Sequence, residues 1–452
     1  MDFSSPFSGL PDGQDPDFEY IAQASSPVVS GEVRLTVREH AFTATALFDR
    51  AEVPYVSVRA LAFADYVVYV ETDGGRYAFS RMGSWAQPFY DALRDAYHRA
   101  FLRAFFLGGK PILSATGDYC FTENGMSVNG QKASFHVYEN CVVALPAEAD
   151  AVRVPLCFVS GLEKGGYQLT LTLDTGERYT FARLGYDTEP FALAVEKQIR
   201  KLHEKAAATC RRFDPTLTTS QTARLARLLL EGAAAPMGRI REIAPSFVAA
   251  FEERFSQTRA HDTYKAFLEL FDPERICVGI RTMKNAGASD GETPDGEGAL
   301  WPHPGDVRPD GALLPDDARP DGAQDDDAML WLIAPSPDGR YAAVEFAADD
   351  TATFVYSADS ADCTGGAAAV GTDGTAAAFI TRLNRALEAT GFRREVVRLT
   401  EEELRQPGNE DYFMASRRIA PLCFIRENYQ GRVIHRSLAS WRAHLASLIK
   451  RD

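Results

Sequence analysis

Cysteine is scarce and poorly placed for chemistry. Seven cysteines are spread over 452 residues, at 120, 141, 157, 210, 277, 363 and 423, and no two form a C-x-x-C pair. That excludes a disulfide framework and a zinc pattern, and it implies reduced, mostly buried thiols in a reducing compartment. Long apolar runs are missing too. None approaches about 18 residues, so no stretch reads as a spanning helix. The start, Met-Asp-Phe-Ser-Ser-Pro, has no basic residues leading into an apolar run and does not read as a signal peptide. The expected compartment is the cytoplasm.

Catalytic signatures are equally thin. There is no G-x-S-x-G elbow, and His203-Glu204 lacks the second histidine of H-E-x-x-H. The eight histidines (40, 98, 136, 203, 261, 303, 435 and 444) are scattered rather than set at ligand spacing. The Gly-rich stretch at 364–375 has no Lys after its last glycine and no G-x-G-x-x-G, so it reads as a connector, not a phosphate loop. No cofactor, metal or catalytic residue is expected.

Charge is unevenly spread. The net charge is −15, yet residues 286–327 alone carry twelve acidic and two basic groups, a net of −10. This segment is Asp, Gly, Pro and Ala with almost no apolar periodicity, and it reads as a disordered acidic insertion inside a hairpin. The rest is close to neutral, which disfavours DNA because phosphate neutralisation needs a clustered basic face.

What the chain does have is a repeat. Arg76, Tyr77, Phe79, Arg81, Gly83, Pro88 and Phe89 return in one order as Arg178, Tyr179, Phe181, Arg183, Gly185, Pro190 and Phe191. Every pair is offset by 102, the mark of a duplicated unit. Around each copy, alternating apolar residues predict antiparallel strands, as at Val33, Leu35 and Val37 or across 167–173. Turns are predicted at 73–75, at 174–177 and at Asn129-Gly130. Each copy then ends in an amphipathic helix, with Phe89, Leu93, Tyr97 and Phe101 inward in the first and Phe191, Val195, Ile199 and Leu202 in the second.

The expected organisation is α+β. It runs from a disordered leader (1–30, with one helical turn near 18–22) through a first unit (31–107) and a second (108–212). A helical segment (213–275) and an α+β C-terminal domain (276–452) carrying the 286–327 insertion follow. In that last domain strands are expected at 276–280, 329–333, 340–346 and 353–357, with short strands at Phe424-Ile425 and Val433-Ile434. Whether its sheet is a third, diverged copy stays open. The aromatic-rich stretch 101–107 is more apolar than one small sheet needs, so its surplus is expected between the two units or against a partner.

Strands closed by one C-terminal helix, with the Val-Pro…Asp-Gly…Arg-Tyr-x-Phe…Gly…Pro-Phe pattern, resemble the pleckstrin-homology-like superfamily, including its bacterial and GRAM-type members. The resemblance covers about residues 31–210. It implies tandem domains that bind headgroups, peptides or proteins, or that build assemblies. The family's lipid sites place Lys and Arg on the loop joining the first two strands. Read here as Arg38-Glu39-His40 and as residues 123–126, that loop has no basic cluster, so membrane lipid is not the expected ligand.

Two groups of residues are candidate ligand contacts. The recurring Arg76, Arg81, Arg178 and Arg183 suit either packing or an anion, and packing accounts for every residue type in the repeat. Residues 412–452 carry eight basic groups against two acidic ones. Within them Arg417, Arg418, Arg426, Arg432, His435 and Arg436 form the candidate surface for an acidic partner, or for the acidic insertion itself. The leading functional expectation is a non-enzymatic binding or scaffold protein with a protein partner. The alternative is an enzyme using Arg432, His435 and a carboxylate such as Glu427.

Overall fold

The computed structural model describes residues 19–123, 126–146, 150–257, 261–282, 328–346, 352–358 and 372–449. The acidic insertion at 286–327 lies outside the described residues.

The first unit holds β1 (Glu19–Ser25), β2 (Ser30–Val37), β3 (Ala41–Thr45), β4 (Arg50–Pro54), β5 (Val58–Ala64), β6 (Val67–Thr72), β7 (Gly75–Ser80) and helix α1 (Ala86–Ala104). The second holds β8 (Leu113–Glu123), β9 (Met126–Val137), β10 (Cys141–Leu145), β11 (Val152–Pro155), β12 (Val159–Gly165), β13 (Gln168–Leu173), β14 (Arg178–Ala182) and helix α2 (Thr188–Phe213). Both sheets are antiparallel and share one order: β4-β3-β2-β1-β7-β6-β5 and β11-β10-β9-β8-β14-β13-β12.

The copies agree in detail. A register shift breaks β5 after Val58 and β12 after Val159. Arg81 and Arg183 take φ of 59° and 55°, and Gly83 and Gly185 take 57° and 59°. These left-handed turns, rarely adopted by non-glycine residues, swing the chain from the last strand into the helix. Pro88 and Pro190 then sit in the first helical turn, where a missing N–H costs nothing. Phe79 meets Phe89 at 5.8 Å and Phe181 meets Phe191 at 5.3 Å, all four rings fully buried. The third ring of each cluster comes from different strands, Phe42 on β3 and Phe135 on β9.

Several expectations are corrected. Residues 19–25 are the central strand β1, paired with both β2 and β7, rather than leader or helical turn. Asn129 and Gly130 lie inside β9 opposite Cys120 and Tyr119, so they make no turn. Phe424 and Ile425 belong to a helix, where both are buried, Ile425 at i+3 from the buried Leu422.

The rest of the chain comprises α3 (Thr219–Leu228), β15 (Ala234–Pro236), α4 (Met237–Ile243), α5 (Pro245–Ser256), α6 (His261–Leu270), β16 (Cys277–Thr282), β17 (Ala328–Pro335), β18 (Tyr341–Phe346) and β19 (Ala352–Ser357). It ends with α7 (Thr372–Ala389), α8 (Glu395–Arg398), α9 (Glu401–Leu404), α10 (Glu410–Arg418), α11 (Ala420–Glu427), β20 (Tyr429–Ile434) and α12 (Leu438–Ile449). The third sheet runs β15-β16-β17-β18-β19-β20, a plain antiparallel meander that differs from the order of the other two. It is not a third copy.

Helices cover both of its faces. Leu330 and Leu332 point into a core shared with α4, α5, α6 and α12, while Trp331 and Ile333 point into one shared with α7 and α11. The helices of 213–275 therefore share a core with this sheet and lend it an edge strand instead of standing as a separate segment. The aromatic stretch after α1 is spent in the same economical way. Phe101 and Phe105 join a core that takes in Val143 and Leu145 from the second unit and Met414 and Ile419 from α10 and the residue after it. Phe106 stacks at 5.3 Å on Tyr412.

Charged side chains lock these parts together. Arg153 on β11 forks onto both carboxylate oxygens of Glu388 on α7, with side chains 8% and 5% exposed. Arg385, one helical turn earlier, bridges Asp174 and Glu177 in the β13–β14 turn. Breaking one side of a buried pair strands the other charge away from water. Glu388→Ala should lower the unfolding free energy by about 3–5 kcal/mol in urea titrations, and Arg153→Met with Glu388→Leu should recover most of it. A single Glu388→Ala loss below about 1 kcal/mol would show that the pair is solvated.

Candidate functional site

The C-terminal basic residues do not form one surface. Arg418 is buried, its side chain 1% exposed, and donates to Val56 O at 3.4 Å, to Tyr97 Oη at 3.1 Å and to Asp150. It ties α10 to both units. Arg426 donates to Val396 O at 2.7 Å and Leu399 O at 2.9 Å and pairs with Glu401 at 3.2 Å, and Arg417 pairs with the same Glu401. Arg432 and Arg436 are exposed. A count of charges in sequence cannot see these distant acidic partners.

The enzyme alternative required Arg432 and His435 to converge on a carboxylate. Val433 of β20 faces the core of α12 while Arg432 points the other way, and His435 follows the Val433 side. His435 Nε2 lies 3.0 Å from Thr353 Oγ1 and 3.3 Å from Glu345 Oε2, so its carboxylate is Glu345 and not Glu427. Thr353 donates to Glu345 at 2.6 Å and accepts from Trp441 Nε1 at 2.8 Å. Thr353, Glu345 and Trp441 are all essentially inaccessible. The network pins α12 to the sheet.

Three of the thiols are held inert. Burial pushes Cys141 up to about 11 and Cys210 and Cys277 to about 12, so none offers a thiolate at neutral pH. Among the described residues, no three His, Cys, Asp or Glu side chains stand together as metal ligands. Three of the four recurring arginines are engaged on the surface: Arg76 with Glu71 at 3.1 Å, Arg178 with Glu163 at 3.2 Å and Arg183 with Asp118 at 3.0 Å. The loop joining the first two strands of unit one is residues 26–29, Ser-Pro-Val-Val, which carries no basic group.

What the structure brings forward is a difference between the copies. In each, the edge strand (β5 or β12) runs beside the closing helix. In unit one the space between them is filled by large rings. Phe63 stacks on Tyr90 at 5.6 Å, and Tyr97 packs on Phe101 at 5.1 Å with its hydroxyl 3.3 Å from Val58 O. The corresponding residues of unit two are Ala192, Ile199 and His203 at the offset of 102, and Lys164, which pairs with Leu169 as Phe63 pairs with Val68. With those rings gone, a groove of about 530 Å³ opens between β12 and α2. Val159 and Leu162 line one wall, and Glu196, Ile199, Arg200 and His203 the other. Lys164 reaches across one end to Glu196 at 2.9 Å. Burial, reinforced by Arg227, holds His203 below the ordinary imidazole range, so it is neutral at pH 7. Sequence reasoning missed this site, although the repeat offset gave the signal: four aromatic positions in one copy are non-aromatic in the other.

The matching face of unit one is occupied. Pro146 and Asp150, between β10 and β11 of unit two, meet α1, where His98 Nε2–H donates to Pro146 O at 3.2 Å and Tyr97 Oη lies 3.3 Å from Asp150 Oδ1. Beside this seam a polar cavity of about 490 Å³ is lined by Arg94, Asp118, Lys132 and Arg183.

Burial at the seam pushes His98 down to about 4, an effect its bond to Pro146 opposes and Arg94 aids. The unfolded chain therefore binds the proton more readily than the fold does. His98 contributes its full stability above the ordinary value of 6.5 and loses it as pH falls toward 4. The slope approaches about 1.4 kcal/mol per pH unit within that window. Unfolding free energies of wild type and His98→Gln, measured from pH 7 to 5, should converge as pH falls. Parallel curves would remove His98 as the cause.

In comparison with known proteins, the chain matches no family model and no curated protein sequence.

Proposed function

We propose that the protein is a non-enzymatic binding or scaffold protein built on two pleckstrin-homology-like units, and that its binding site is the β12–α2 groove. The observation that carries this reading is the contrast between the copies. On unit one the strand–helix face is filled by aromatic rings and met by Pro146 and Asp150 of unit two, which supports its reading as a protein-contacting face. On unit two the same face is open, mixed apolar and polar, and bordered by an unpaired strand edge, all features of a surface that takes another chain. The occupant is a short protein segment with an apolar anchor for Ile199 and Leu162 and an acidic group for Arg200. Two seven-stranded sheets of one order, each closed by a helix, support the family resemblance. Unpaired, mostly buried thiols suit a reducing cytoplasm. Among the described residues no helix is long and apolar enough to cross a membrane.

The test is selection from a displayed random-peptide library on wild type and on Arg200→Glu/His203→Glu. Selected peptides should carry an acidic residue beside an apolar one and lose at least about tenfold affinity on the variant, since a close charge pair is worth about 1.5 kcal/mol or more. Peptides that bind both proteins equally would place the site elsewhere.

A further inference from the structure

The connection from which unit two lays Pro146 and Asp150 on α1 has a counterpart in unit one. Between β3 and β4, residues 46–49 form a tight turn closed by Ala46 N–H donating to Asp49 O at 2.7 Å. Its two central residues are Leu47 and Phe48, exposed by 85% and 90%. A fixed turn that holds a leucine and a phenylalanine in water is a preorganised apolar anchor. Asp49 precedes β4 directly, as Asp150 stands just before β11.

The receiving faces correspond as well. Arg94, Tyr97 and His98, which border or contact the β10–β11 loop side of α1, map by the offset of 102 onto Glu196, Ile199 and Arg200. Those three line the β12–α2 groove. Val58, whose carbonyl Tyr97 reaches, opens β5 as Val159 opens β12, and Val159 lines the groove too. The chain thus shows Pro146 and Asp150 seated on one helix face, a turn of the other unit with its apolar residues exposed, and a second helix face left open.

Size and charge fit. The loop of unit two reads Pro-Ala-Glu-Ala-Asp, while that of unit one reads Ala-Leu-Phe-Asp. The larger side chains of unit one suit in size a groove from which the equivalents of Tyr90, Tyr97 and Phe101 are missing. Asp49 brings a carboxylate to a wall holding Arg200.

We infer that copies of this protein associate head to tail, residues 46–49 of one copy entering the β12–α2 groove of the next. This rests on the reading of that groove as a binding site and names its occupant. The contact is heterologous, so it builds open chains unless the rotation between copies closes a ring. A four-residue anchor is small beside a standard interface, which puts the association at the weak, concentration-dependent end.

Sedimentation velocity across protein concentration tests it. The wild-type mass should rise from the 49.7 kDa monomer as concentration approaches about 100 µM, the regime of small interfaces. Leu47→Ser/Phe48→Ser and Arg200→Glu, all at exposed positions, should each stay monomeric while keeping the wild-type circular dichroism. Mixing these two variants should give a 1:1 dimer and nothing larger, because one keeps an intact groove and the other an intact loop. Asp49→Arg combined with Arg200→Glu in one chain should restore assembly. Wild type that stays monomeric overturns the inference, as does assembly indifferent to the loop variant, or a mixture that yields no dimer. If selected peptides still depend on Arg200 while the loop variant changes nothing, the groove reading stands and the head-to-tail contact falls.

Discussion

The Arg153–Glu388 fork is the constraint from which the rest of the arrangement follows. Two opposite charges removed from water stabilise a fold only when their geometry is near ideal, and a pair of apolar residues in their place would serve stability about as well. What the fork adds is direction: a planar guanidinium accepts a carboxylate in few orientations. It sets α7 against β11, and Arg385 sets the same helix against the β13–β14 turn. Since α7 also covers one face of the third sheet, the second unit and the C-terminal sheet are oriented by one helix. Arg418 does the equivalent for α10, reaching Val56 and Tyr97 of the first unit and Asp150 of the second.

Against that fixed frame, the two units show what duplication leaves free to vary. Residues that define the frame are kept: the left-handed Arg81 and Arg183, the glycines two residues on, and the buried Phe pairs between last strand and helix. Residues that fill the strand–helix space are not kept. Phe63, Tyr90, Tyr97 and Phe101 fill it in one copy, and Lys164, Ala192, Ile199 and His203 leave it open in the other. The frame tolerates this because its own core lies on the inner face of the sheets, where Leu169, Leu171 and Phe181 remain fully buried.

This division also explains what the sequence disclosed. The repeat was legible because a turn with positive φ, a helix-starting proline and a docking Phe each demand particular residue types at fixed spacing. β1 was hidden because its inward residues are Ala22 and Ala24, too small to signal a strand beside a Pro- and Gly-rich leader. The Asn129-Gly130 pair carries turn chemistry, yet sits mid-strand where the partner strand shifts register and Pro146 packs close. The basic C-terminal residues misled in another way. Local charge counts report what is near in sequence, whereas Arg417 and Arg426 are balanced by Glu401, Arg442 by Glu269 and Arg418 by Asp150. The groove lay in the differences between the copies, not in the shared motif.

Tandem units that contact one another in a fixed way carry an unmatched face at each end, and repeat proteins ordinarily cover such faces with polar or capping elements. Here the C-terminal helices had the reach to do so: α7 packs beside the 3-10 turn at Leu156–Phe158, where Arg385 sits over Phe158 at 5.6 Å. They stop short of the groove, whose lining begins at Val159, the next residue. At the other end, the turn between β3 and β4 carries leucine and phenylalanine at its centre, the least economical residues for a face meant to stay in water. Both ends therefore depart from capping in the same direction, one by leaving space and the other by exposing the side chains that suit it.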